Sequence, residues 1–111
     1  MSWRDRWLLY RHATQRTLLD REATASDLAM LRGFARDHRG VELFAEPETA
    51  ATDATVVAVD GDGAWIRRRV GSPAVARRLA RDLALPIYDA SVVGYPRRMR
   101  EWNRVNRPAI R

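Results

Sequence analysis

Apolar positions follow helical spacing over the first third of the chain, alternate from about residue 41, and return to helical spacing twice more. Ser2 is placed to cap a first helix, with Asp5 where a capping box puts its acid. Trp3, Trp7, Tyr10 and Thr14 share one side, and Leu8, Leu9 and Leu18 broaden it, up to about Ala23. Ser26 opens a second predicted helix, "SDLAMLRGFARDH", with Leu28, Leu31, Ala35 and His38 on one stripe and Gly40 at the C-terminal cap. The two helices are expected to fold back on each other as a hairpin over residues 1–40.

The middle of the chain reads as strands. "VELFAE" sets Val41, Leu43 and Ala45 against Glu42, Phe44 and Glu46, "PETAATDA" is a polar loop, and "TVVAV" is apolar on both faces, as in a covered central strand. "AWIRRRV" alternates again, with Trp65, Arg67 and Arg69 on one face. Ser72-Pro73 starts a helix, a cap followed by proline at the first turn. That helix buries Val75, Leu79 and Leu83 and carries Arg77, Arg78 and Arg81 outward, and Pro86 ends it. "IYDASVV" is predicted as a fourth strand broken at Gly94, and a last helix begins at Pro96 and stops before Pro108. The expected fold is α+β, a mostly antiparallel sheet of about four strands in the order ααβββαβα. It forms a single domain over 1–111: the hairpin to 40, the sheet with one crossover helix at 41–95, a basic helix at 96–107 and a tail at 108–111.

Composition narrows the chemistry. Length fits one modest core, and 46% hydrophobic with 31% charged residues suits a folded chain. No apolar run approaches the ~20 residues of a membrane span, and "MSWRDRWLLY" puts charge where a signal peptide needs its apolar core, so a cytoplasmic location is expected and membrane association is not. Cysteine is absent, which removes disulfides and thiolate chemistry. All 20 basic residues are arginine; a GC-rich genome explains that, and it still excludes Schiff-base and P-loop lysines. The net charge of +6 is uneven: residues 1–16 carry +3, 17–53 carry −4, 54–96 carry +2 and 97–111 carry +5. Basic ends around an acidic middle point to an anionic partner, or to docking of the ends on that middle.

"TVVAVDGDGAW" is the stretch nearest to a catalytic motif. Asp60, Asp62 and Gly63 locally resemble the aspartate-x-aspartate-glycine of haloacid-dehalogenase-like phosphatases, which use further acids for magnesium and a lysine that this chain does not have. "GDG" is similar to the opening of the thiamine-diphosphate motif, whose closing asparagine would fall where this chain reads "PIYDASVV". Both likenesses span a few residues, and a hairpin turn uses the same letters for conformational freedom. "ARRLARDLALPIYDASVV" imitates a helix-turn-helix until Pro86 and the β-rich segment after it. His12 and His38 fall in different predicted helices, without ligand spacing, and read as surface or helix-end residues.

The C-terminal helix carries the main binding signal. Tyr95, Met99 and Trp102 share one side, with Val105 at its margin, while Arg97, Arg100, Arg104 and Arg107 form a stripe roughly opposite. Such a stripe is either a solvated back or a phosphate-binding ridge. Trp65, Arg67 and Arg69 form a second candidate, able to stack a base and hold its phosphates, or simply to pack arginine over indole. The expectation is a non-enzymatic binding protein that takes an anionic partner, nucleic acid first, through Arg97, Arg100, Arg104, Arg107, Trp65, Arg67 and Arg69, with no cofactor and no metal. The alternative is a homo-oligomeric interaction module whose basic ends meet acidic surface. A small metal-dependent hydrolase or nuclease built on Asp60 and Asp62 is third.

Overall fold

The computed structural model describes residues 24–106. The first predicted helix, Arg107 and the tail lie outside them. Residues 24–37 form helix α1. Strands β1 (Glu42–Glu46), β2 (Thr55–Val59) and β3 (Trp65–Arg69) follow. Then come α2 (Pro73–Leu83), β4 (Ile87–Asp89), the short α3 (Ala90–Val93) and α4 (Arg97–Val105).

The class is α+β, but the sheet is mixed rather than mostly antiparallel. Its order is β3-β2-β1-β4. β1–β2 and β2–β3 are antiparallel, whereas β4 runs parallel to β1, with Leu43 opposite Ile87. The cause is the connection: a helix-length crossover from β3 brings the chain back in the same direction, and the side-chain pattern of β4 does not encode that direction.

Register divides the side chains into two layers. On one face Leu43, Val56 and Ala58 meet Leu31 and Phe34 of α1 and Ala76, Leu79 and Ala80 of α2. On the other, Phe44, Val57 and Val59 meet Met99 of α4, with Trp65, Ala90 and Tyr95 around them. β2 is therefore covered on both sides, which is why its "TVVAV" shows no alternation. Full burial of each such valine contributes about 1.5–3 kcal/mol.

Local signals set the ends of the elements. The Ser72 hydroxyl accepts from the Val75 amide at 3.2 Å, and Pro73 takes the first turn of α2. That helix stops at Leu83, before Pro86, with Ala84 in the left-handed region at φ 53°. Two expectations are corrected. Ser26 lies inside α1, which is already helical at Thr24, because Ala25 and its neighbours include no helix breaker. "IYDASVV" is a strand only to Asp89, whose carboxylate accepts from the Ser91 amide at 2.9 Å and turns the next residues into α3. The cap overrides the β preference of Val92 and Val93 and leaves them 80% and 57% exposed.

Candidate functional site

α4 is held to the sheet by one side and shows arginine on the other. Met99 is buried among Phe44, Val57 and Val59. The Asn103 carboxamide oxygen accepts from Trp65 Nε1 at 2.6 Å. Arg98 donates through Nε to the Asp60 carbonyl at 2.7 Å and through Nη2 to Glu42 at 2.6 Å. Just before the helix, the Tyr95 hydroxyl donates to Glu46. Val105, expected at the margin of the packed side, is exposed.

On the outer side Arg97 pairs with Glu101 at 3.2 Å, one turn away and exposed. Arg100 and Arg104 are exposed, and neither has a carboxylate partner among the described residues. Arg107, the fourth member of the expected stripe, lies outside them. Exposed Arg77, Arg78 and Arg81 of α2 likewise have no ion-pair partner among the described residues, on the opposite face of the sheet.

The β3 group shares one face, as alternation requires, and its members are engaged within the chain. Trp65 is committed to Asn103 and to the cluster under α4. Arg67 grips Glu46 with Nε at 2.7 Å and Nη2 at 3.1 Å, its guanidinium 5.3 Å from the Trp65 ring centroid. Arg69 lies 3.6 Å from Asp27 and 3.3 Å from Asp53. Glu46 also accepts from the Thr55 hydroxyl at 2.7 Å. Burial alone would raise the Glu46 carboxyl, but the Arg67, Tyr95 and Thr55 donors outweigh it and hold the group below its ordinary range. Burial, and then the bond to Glu46, push the Tyr95 hydroxyl up. Arg67 is raised by Glu46.

The acidic turn is a second centre. Asp60 Oδ1 accepts from the amides of Asp62 at 2.9 Å and Ala64 at 3.0 Å, and Oδ2 lies 2.6 Å from His38 Nδ1. A carboxylate only accepts, so Nδ1 carries the hydrogen. The His38 ring stacks on Phe34 at 3.9 Å between centroids. Burial would raise the Asp60 carboxyl, but the His38 bond and the two amides lower it. Among the described residues no three His, Cys, Asp or Glu side chains gather to hold a metal ion.

Sequence reasoning missed Arg98 and the His38–Asp60 pair. Helical spacing could have found the first, because Arg98 lies off the Arg97/Arg100/Arg104 stripe and toward the packed side. The second joins residues 22 apart and has no local signature. No protein-family model matches the chain, and neither does any curated protein or solved structure.

Proposed function

We propose that this chain is a small binding protein whose α4 presents arginine to an anionic partner, nucleic acid first. The observation that carries the reading is the division of labour along α4. Arg98, Met99 and Asn103 fix the helix to the sheet, while Arg100 and Arg104 stand exposed without a carboxylate among the described residues. Two like charges at i and i+4 repel each other, and a phosphate backbone relieves that repulsion. Arg97 joins by exchanging its exposed Glu101 pair, which holds it weakly. Arg67 and Arg69 serve the fold in this reading. The mechanism is phosphate neutralisation with counterion release and little reading of base identity.

The test is fluorescence anisotropy with a single-stranded and a duplex oligonucleotide at 50 and 200 mM salt, conditions chosen on the order of those that separate electrostatic binding. Affinity should fall steeply with salt, and the double change Arg100→Ala/Arg104→Ala should weaken binding to all sequences alike and flatten the salt slope by about two. No binding at the lower salt would overturn the reading.

Self-association is the second reading, and the exposed Val92 and Val93 of α3 favour it.

A further inference from the structure

A cleft of about 260 Å³ opens between α2 and the sheet, where β1 and β4 end, away from the arginine stripe of α4. Its size comes from small side chains: Ala45, Ala54 and Ala76 line it, with Val70 and Ile87 beside them. Ala54, Val70 and Ala76 are almost fully buried, so the floor is apolar. The volume lies just under the ~300–1,000 Å³ of drug-sized ligand sites, which suits a smaller metabolite.

Three charged side chains line the same cleft; Glu46 is already held by Arg67, and the other two, Arg77 and Asp89, are opposite in sign and do not pair with each other. Arg77 has no carboxylate partner among the described residues. Asp89 spends Oδ1 on the amide and hydroxyl of Ser91, at 2.9 and 2.5 Å, and no guanidinium balances its charge among the described residues. A simple organic anion would meet repulsion from Asp89, and a simple amine would meet it from Arg77. A molecule carrying both charges satisfies both groups.

We infer that this cleft binds a zwitterionic α-amino acid with a branched or aromatic side chain. Its carboxylate lies on Arg77, its ammonium on Asp89, and its side chain rests over Ala45, Ala76 and Ile87. The site is independent of the nucleic-acid reading of α4.

Calorimetric titration of the full chain with L-leucine and L-phenylalanine tests this, beside isoamylamine, which has no carboxylate, and N-acetyl-L-leucine, which has no ammonium. At least one amino acid should saturate with Kd on the order of 1 mM or tighter. Both comparators should bind roughly tenfold more weakly, and Arg77→Gln and Asp89→Asn should each weaken the amino acid by a similar factor. Ala45→Leu should fill the cleft and abolish binding. Because that variant also strains the core, the two rim variants, at exposed positions, carry the decision. Absence of saturable binding, comparators equal to the amino acid, or rim variants that bind normally would each overturn the inference.

Discussion

Gly63 shows how closely this fold is built around single residues. It has φ of 98°, and a Cβ at that position would lie 2.1 Å from the Arg98 carbonyl oxygen and 2.9 Å from Trp102 Cβ. The glycine therefore serves both the β2–β3 turn and the approach of α4. Gly63→Ala should cost about 2–4 kcal/mol, from the strained backbone and from displacement of the helix, read as a lowered urea midpoint. Asp60, three residues earlier, predicts a dependence on pH. Its folded-state carboxyl titrates below the ordinary value, as does that of Glu46. Each group thus contributes stability that is complete above the ordinary carboxylate range near pH ~4 and is lost as pH falls through the depressed value. Asp60→Asn and Glu46→Gln should each destabilise the protein at neutral pH, and their deficits should shrink as unfolding is measured toward pH ~3. Deficits that stay constant would show that charge is not the source.

At the level of elements, α4 depends on a small number of anchors. Met99 is its buried residue, and removing that side chain opens a cavity against Phe44, Val57 and Val59. Met99→Ala should cost about 2–5 kcal/mol in chemical denaturation. Most elements were legible in the chain because their signals are local: Ser72-Pro73 at the start of α2, the unbroken "TVVAV" of β2, and the Asp-Gly turn beside it. The end of β4 was not. There a single capping aspartate competed with two β-branched valines, and propensity favours the valines. The α4 stripe was readable from spacing, yet whether each β3 arginine faces solvent or a carboxylate depends on Asp27, Glu46 and Asp53, which are distant in sequence.

Across the whole molecule, the net positive charge overstates the free cations. Arg67, Arg69 and Arg98 are spent on Glu46, on Asp27 and Asp53, and on Glu42, so the acidic middle of the chain is partly neutralised by its own basic strand and helix. These links explain why charge asymmetry was visible beforehand while its use was not: Glu42–Arg98 and Glu46–Arg67 span 56 and 21 residues. Self-association through α3 predicts a light-scattering mass near twice the 12.7 kDa protomer, reduced to one protomer by Val92→Asp/Val93→Asp. A single-protomer mass at high concentration would remove that reading.

The parallel pairing of β1 with β4 also governs the order of assembly during synthesis. β1 leaves the ribosome roughly 40 residues ahead of Ile87, so at ~5–20 residues per second its outer edge waits for an interval on the order of seconds. Throughout that wait a row of unbonded amides and carbonyls lies beside Leu43 and Phe44, open to any extended strand from another nascent chain. Slowing translation once β1 has emerged and β4 is still inside the ribosome should lengthen this exposure and increase misassembly, even though the finished protein is unchanged.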